Sequence, residues 1–131
     1  MTSRLTEVVV HCHDPERLAA FWCDVLGFDV LERRDDQVEI GSWEPTVEGV
    51  RARQEAPTLV FARVPQAKTV QNRLHLDVSP IDRSTDDEVA RLLALGASRV
   101  DVGQDPDASW EVLGDPEGNE FCVLRTLAPQ D

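Results

Sequence analysis

Tyrosine is absent from the 131-residue sequence, and no apolar run approaches the roughly 20 residues that a membrane-spanning helix requires. Residues 1–10 have neither the charged start, the long apolar stretch nor the cleavage site of a signal peptide. Cysteine is scarce: Cys12, Cys23 and Cys122 form an odd number without the spacing of a disulfide framework, which favours free thiols in a reducing compartment. These absences argue against a membrane protein or a disulfide-stapled secreted domain, and we expect a soluble cytoplasmic protein.

Basic residues are also few, with 13 lysines and arginines against 25 acidic residues and a net charge of −12. A field of that sign repels phosphate backbones, so we expect no nucleic-acid partner. The acidic residues are scattered in pairs rather than gathered in a tail, which is typical of a solvated surface that favours solubility. Apolar residues make up 41% of the chain, enough for a sizeable core in one domain.

The first half of the chain predicts a strand, a helix and three further strands. Branched apolar residues indicate a strand over 5–11. Asp14 as N-cap and Pro15 at the first helical position predict a helix, which Gly27 ends as a left-handed cap. Short strands are expected at about 28–33, 37–43 and 59–64. The polar segment 44–57 carries two prolines and is interpreted as a loop, with a ragged strand as the alternative.

The same order returns after a linker over residues 65–71. The segment "NRLHLDV", residues 72–78, alternates, which predicts a strand with Leu74, Leu76 and Val78 facing the core. The opposite face of that strand carries Arg73, His75 and Asp77.

A second helix and three strands complete this half. Thr85 followed by Glu88 is typical of a capping box at the start of the helix, and Gly96 ends it. Strands are expected near 98–102, in "SWEVLG" and in "EFCVL", the last two joined by the turn "DPEGN".

The repeat predicts an α+β fold built from two tandem βαβββ modules. Module one covers about residues 1–64, the linker about 65–71 and module two about 72–131, all within a single domain of residues 1–131. One such module has an open sheet face that it cannot bury alone. We therefore expect the two modules to form a curved mixed sheet around a cleft, with the helices outside, in a homodimer.

Two segments, "DPERLAAFWCDVLGFDV" and "SWEVLGDPEGNEFCVLR", resemble the vicinal oxygen chelate superfamily, which contains glyoxalase I, bleomycin-resistance proteins and extradiol dioxygenases. The segment "FARVPQAKTVQNRLHLDV" is similar to the glyoxalase-like proteins common in actinobacteria. The resemblance covers nearly the whole chain and implies the two-module fold. It leaves the reaction open, because this fold hosts many chemistries.

In metal-dependent members of that superfamily, four side chains hold a divalent ion. Their positions fall on Glu7, Phe61, His75 and Cys122 of this sequence. Phe61 cannot bind a metal, and a Cys122 thiolate suits soft metals rather than the hard ions of the family. Glu7 and His75 are too few for a closed site, so we expect no cofactor and no tightly bound divalent ion. An open site completed by water and Asp77 is the alternative.

Polar candidates for a ligand site lie on the predicted strand faces. His75 beside Asp77 and Arg73 is either a general base or ligand partner in a pocket, or part of a structural network at the seam between modules. Glu7 is either a binding group or the exposed end of its strand. Arg63, on the same face as Phe61, could pair with Glu7 or bind an anionic substrate.

Aromatic and thiol groups supply further candidates. Trp43 and Trp110 would form a clamp around a flat ligand if they face the cleft, and otherwise pack in the core or a dimer interface. Cys122 is a small core residue, or a nucleophile if His75 comes within reach.

The function predicted from the sequence is binding of a small molecule without a complete family metal site, such as sequestration of an aromatic metabolite or antibiotic. The alternative is an isomerase, lyase or dioxygenase that uses Glu7 and His75 on a metal or as an acid/base pair. A third reading is an interaction module without a ligand.

Overall fold

The computed structural model describes residues 2–129. The chain divides into two compact units, Met1–Ala67 and Lys68–Asp131. The first contains β1 (Glu7–Cys12), α1 (Pro15–Leu26), β2 (Asp29–Arg34), β3 (Gln37–Gly41), α2 (Val47–Ala52) and β4 (Thr58–Arg63). The second contains β5 (Leu76–Val78), α3 (Thr85–Leu95), β6 (Ser98–Arg99), β7 (Glu111–Gly114) and β8 (Glu120–Val123). Within residues 2–129, no helix combines the length and the apolar character needed to span a bilayer.

Each unit holds a four-stranded mixed sheet, and the two sheets share one topology. The strand order is β1-β4-β3-β2 in unit 1 and β5-β8-β7-β6 in unit 2. The first and last strands of each unit are parallel neighbours, and the remaining pairs are antiparallel. Helix α1 packs on β2, β3 and β4, whereas α3 packs on β8. The predicted α+β class and the tandem repeat of strand, helix and three strands are confirmed.

Helix α1 forms where its local signals predict it. The Asp14 side chain accepts a hydrogen bond from the Arg17 backbone N–H at 3.1 Å, and Pro15 occupies the first helical position. Gly27 adopts φ = 70°, a left-handed conformation that a residue without Cβ reaches at little energetic cost. Its N–H donates to the Cys23 carbonyl at 2.8 Å. The helix buries one apolar stripe that includes Leu18, Phe21 and Trp22.

Helix α2 corrects the expectation of a loop over residues 44–57. The Thr46 side chain accepts a hydrogen bond from the Gly49 N–H at 3.0 Å and caps this short helix. Trp43 lies against it, since a Cβ on Gly49 would come within 3.2 Å of the indole ring. The indole Nε1 of Trp43 donates to the Ala56 carbonyl at 3.1 Å. With six residues and no buried side chain, α2 lacks the apolar stripe by which a helix is predicted.

In unit 2 the strand over "NRLHLDV" is shorter than predicted. Only Leu76–Val78 pair with β8, and residues 73 and 74 form a bend before them. The prediction that Leu74 faces the core is wrong, because its side chain is 85% exposed. Period-two alternation continues into the bend, but sheet pairing stops, and burial follows the pairing.

The cap of α3 is displaced by one residue from its predicted position. The Ser84 side chain accepts a hydrogen bond from the Asp87 N–H at 3.0 Å, which makes Ser84 the N-cap. The Thr85 hydroxyl instead donates to the Leu124 carbonyl at 2.9 Å and joins the helix to the end of β8. Glu88 forms an ion pair with Arg91 at 2.6 Å rather than closing a capping box.

Replacing Ser84 with alanine should remove this cap and lower the free energy of unfolding by about 1 kcal/mol. In a domain of this size that loss corresponds to a fall in melting temperature of roughly 3–5 °C, measured by differential scanning calorimetry. Ser84→Asn is the matched control, because its side chain also caps and should keep most of the stability. Equal melting temperatures for Ser84→Ala and wild type would contradict this assignment.

Candidate functional site

A cavity of about 420 Å³ opens on one face of the unit 2 sheet. Its floor is a row across three strands, because Asp77 of β5 pairs with Cys122 of β8, which pairs with Val112 of β7. Residues in register on neighbouring strands share a face, so these three side chains point the same way. Glu120 and Leu124, two positions on either side of Cys122, also line the cavity.

The polar end of the cavity is formed by His75 and Asp77. The imidazole Nε2 lies 3.1 Å from a carboxylate oxygen of Asp77, within hydrogen-bond distance. The two side chains are 50% and 48% exposed. His75 precedes β5 by one residue, and the spacing of two places its ring on the same side as the carboxylate. Both groups are accessible from the cavity and can exchange hydrogen bonds with a ligand.

Cys122 lies beneath this pair and is 9% exposed. Burial raises the pKa of its thiol, and the negative charge of Asp77 and a hydrogen bond to that carboxylate raise the pKa further. The neutral thiol therefore predominates at neutral pH. Because a thiolate is the nucleophilic form, this environment does not activate Cys122 for covalent catalysis.

A polar network anchors the segment that leads into β5. Glu120 accepts hydrogen bonds from Lys68 Nζ at 2.6 Å and from the Asn72 backbone N–H at 2.9 Å. The Asn72 side chain donates to Asn119, which in turn donates to Asp115 in the β7–β8 turn. Burial raises the pKa of Glu120, but the Lys68 and Asn72 hydrogen bonds and the Lys68 charge outweigh it and hold this pKa below its ordinary value.

The opposite wall of the cavity is largely apolar. Trp110, just before β7, is 41% exposed and lines the cavity together with Val112. The loop over residues 102–104 closes this side. The Gln104 side chain shapes the loop by accepting a hydrogen bond from the Val102 N–H at 2.9 Å and donating to the Val100 carbonyl at 3.3 Å.

Of the four predicted site residues in unit 1, Glu7 and Arg63 line two separate cavities. Glu7 lines a cavity of about 570 Å³ together with Thr58 and Glu39, whose side chains are joined by a 2.7 Å hydrogen bond. Arg63 lines another of about 460 Å³. The suggested pairing of Arg63 with Glu7 is wrong, because Glu7 stands opposite Thr58 at one end of β4 and Arg63 stands at the other end.

The remaining predicted residues occupy other environments. Phe61 is 1% exposed, pairs with Val38 in the core of unit 1, and is not among the residues that line the three cavities described above. Trp43 packs on α2 and is not among the residues that line the cavity beside Trp110. Arg73 is exposed in the bend before β5 and lies outside the cavity lining.

Several lining residues were missed by sequence reasoning. The alternation of Glu120 and Cys122 along β8, continued by Leu124 just after it, could have identified the first and last of them. Nothing in the sequence marks Gln104, because its role depends on how the loop folds back over the sheet.

The residues present do not fit the hard-ion site of metal-dependent relatives, since Phe61 at one of the four positions is a core side chain. A different donor set is present within unit 2. One ligand atom each from His75, Asp77 and Cys122 lies within 4.8 Å of the other two, and this is the one such group of three among residues 2–129. Nitrogen, oxygen and sulfur donors together suit a borderline ion such as zinc.

Comparison with protein families finds one match, to the family described as glyoxalase-like domain, over residues 7–124. This span runs from the first residue of β1 to just beyond β8. No curated protein matches the chain.

Solved structures of similar fold come from diverse organisms. A glyoxalase/bleomycin resistance protein/dioxygenase family enzyme from Burkholderia phytofirmans PsJN has a TM-score of 0.62 at 18% identity, covering 92% of this chain and 97% of that one. Trypanothione-dependent glyoxalase I from Leishmania major has a TM-score of 0.63 at 15% identity, covering 95% and 87%. TioX from Micromonospora sp. ML1 has a TM-score of 0.54 at 20% identity, covering 93% and 98%. At these identities the likeness shows the fold alone.

Replacing Glu120 with glutamine should remove a charge-dependent anchor of the segment before β5. A carboxyl whose folded pKa is lowered stabilises the protein above its unfolded pKa of about 4.3, and loses that effect as the pH falls through the folded pKa. Wild type should therefore melt higher than Glu120→Gln at neutral pH, and the difference should shrink below about pH 4.3.

Melting curves between about pH 3 and pH 7 measure this convergence. Glu44→Gln is the charge-matched control, because it removes an exposed carboxylate in unit 1 and should track wild type. A difference between wild type and Glu120→Gln that stays constant across this range would contradict the charge-dependent role.

Proposed function

Because the chain belongs to the glyoxalase-like domain family, we propose that it is a small-molecule-binding protein whose ligand occupies the unit 2 cavity. The observation that carries this proposal is the presence of a half-exposed indole, Trp110, and the 3.1 Å contact between His75 and Asp77 in one cavity. Ligand sites commonly combine apolar walls with a few oriented polar groups, in volumes of roughly 300–1,000 Å³. A cavity of about 420 Å³ falls within this range.

The ligand that this cavity suits is a flat aromatic molecule. Trp110, Val112 and Leu124 offer ring and aliphatic surface to the cavity. Stacking on an exposed indole buries apolar area and adds a favourable ring–ring contact of about 0.5–1.5 kcal/mol. An aromatic metabolite or antibiotic is a ligand of this kind, and sequestration needs shape and aromatic contact but no catalytic group.

The charge of the cavity favours a cationic or hydrogen-bond-donating substituent on that ligand. Asp77 and Glu120 line the cavity, and no lysine or arginine is among the lining residues that the structure describes. Lys68 neutralises Glu120 through a 2.6 Å ion pair, which leaves Asp77 as the carboxylate available to a ligand. The net charge of −12 also raises the local concentration of cations around the protein.

A second candidate function is acid/base catalysis by His75 with Asp77. The 3.1 Å contact favours it, because a carboxylate beside an imidazole orients the ring. Glu7, its suggested partner, lines a cavity in unit 1. Recovery of the ligand chemically unchanged after prolonged incubation supports binding, whereas a new product supports this second function.

A cytoplasmic homodimer is part of the same proposal. All three cysteines lie within the described residues, and none forms a disulfide, which is the usual state in a reducing compartment. Analytical ultracentrifugation of the purified chain tests the dimer by its mass.

Proflavine, a flat aromatic cation, is a suitable probe of the proposed ligand class. It should bind more tightly than uncharged acridine or an acridine carboxylate, measured by fluorescence titration. Trp110→Ala should weaken proflavine binding by about tenfold, because it removes the stacking surface. Trp43→Phe is the control, since Trp43 packs on α2 in unit 1. Equal affinity of Trp110→Ala and wild type, or preference for the carboxylate, would contradict the proposal.

Replacing His75 with alanine should weaken proflavine binding and leave folding largely intact. A half-exposed imidazole at a cavity contributes little packing, so the melting temperature should stay within about 2 °C of wild type. If His75 instead belonged to a structural network at the seam between modules, its removal would lower stability and leave the affinity unchanged. Removal of a buried, hydrogen-bonded side chain costs about 1–3 kcal/mol of folding free energy. Paired melting and titration curves decide between the two. A large loss of stability at unchanged affinity would contradict the pocket.

A further inference from the structure

We propose that His75, Asp77 and Cys122 form a three-ligand site for Zn²⁺ within unit 2. The site goes beyond the proposed ligand binding and does not depend on it. His75 and Cys122 stand at two of the four positions used by metal-dependent relatives, and the site departs from that pattern because Asp77 of the same sheet supplies the third donor. Three protein ligands with a fourth, open position are typical of reactive rather than purely structural zinc sites.

The geometry of the three donors is close to that of a bound ion. Zinc ligands at 2.0–2.3 Å in a tetrahedral arrangement lie roughly 3.3–3.8 Å apart. The donor atoms of the three residues lie within 4.8 Å of one another, and His75 and Asp77 approach to 3.1 Å. A cation therefore needs shifts of no more than about 1.5 Å to draw them together. The half-exposed His75 and Asp77 side chains have room for such shifts.

The sheet supplies the fixed part of this site. Cys122 stands in the middle of β8 with Phe121 and Val123 buried on either side, so its Cβ direction is set by the core. Asp77 is its direct partner on β5. Neighbouring strands are about 4.8 Å apart, a separation at which two short side chains on one face can reach a common ion.

Charge balance favours a divalent ion at this place. When the sulfur–zinc bond forms, the Cys122 S–H bond breaks and its proton passes to solvent. The thiolate and the Asp77 carboxylate then carry two negative charges against two positive charges of zinc, and neutral His75 adds none. A neutral assembly avoids the cost of a net charge in a partly buried position. The fourth position faces the cavity, where water or a ligand oxygen can occupy it.

The test uses the full chain, freed of metal by dialysis against a chelator. Titration with zinc in competition with a chromophoric indicator should show one equivalent bound. Cobalt(II), bound in place of zinc, should give a sulfur-to-cobalt charge-transfer absorption, which reports a thiolate ligand directly. His75→Ala, Asp77→Asn and Cys122→Ser should each weaken zinc binding by about tenfold or more, and Cys122→Ser should also abolish the absorption.

Matched controls keep the result specific. Cys23→Ser removes a thiol on α1 and His11→Ala removes an exposed imidazole on β1, so both variants should bind zinc like wild type. Circular dichroism checks the fold, and if Cys122→Ser unfolds, His75→Ala and Asp77→Asn decide the outcome. Absence of a stoichiometric site, or unchanged affinity in His75→Ala and Asp77→Asn, overturns the proposal. Proflavine titration of metal-free protein is scored separately, so failure of either proposal is recognised by itself.

Discussion

The parallel pairing of β5 with β8 is the constraint on which the site depends. Asp77 and Cys122 are far apart in the sequence, and only this register makes them neighbours. The same strand β8 pairs with β7 and adds Val112, so one register aligns carboxylate, thiol and apolar wall in a single row. A slip of one residue would turn Phe121 toward the cavity and Cys122 toward the core, exchanging every side chain between the two faces. The burial of Phe121 and Val123 opposes that slip.

Unit 1 shows that topology alone does not create such a row. Its sheet has the same strand order, and β1 pairs with β4 in parallel as β5 does with β8. Val9 follows Glu7 by two residues, just as Asp77 follows His75 by two residues. Val9 pairs with Val60 on β4. Apolar side chains thus take the places of a carboxylate and a thiol. The backbone supplies positions, and the side chains decide which unit carries polar chemistry.

Local signals predicted local structure well. Asp14, Pro15 and Gly27 specified both ends of α1, because caps act within a few residues of the turn that they close. The six-residue α2 was missed for want of an apolar stripe, and Leu74 was misplaced because alternation does not reveal where pairing ends. The sequence left open whether His75 comes within reach of Cys122. The structure brings them close because β5, which His75 directly precedes, and β8, which carries Cys122, are neighbours in one sheet. Register between distant strands is a tertiary property, and no local pattern encodes it.

On β8, core and cavity side chains alternate along a single strand. Phe121 and Val123 face the core, whereas Glu120, Cys122 and Leu124 face the cavity. The packing of Phe121 and Val123 therefore does not involve the cavity face of the strand, because successive side chains point to opposite faces of the sheet. Exchange of a cavity residue that anchors no other segment, such as Leu124, can change the ligand without disturbing the core face. Because the core face and the cavity face are separate, a repeated βαβββ unit can change its ligand specificity while it keeps its fold.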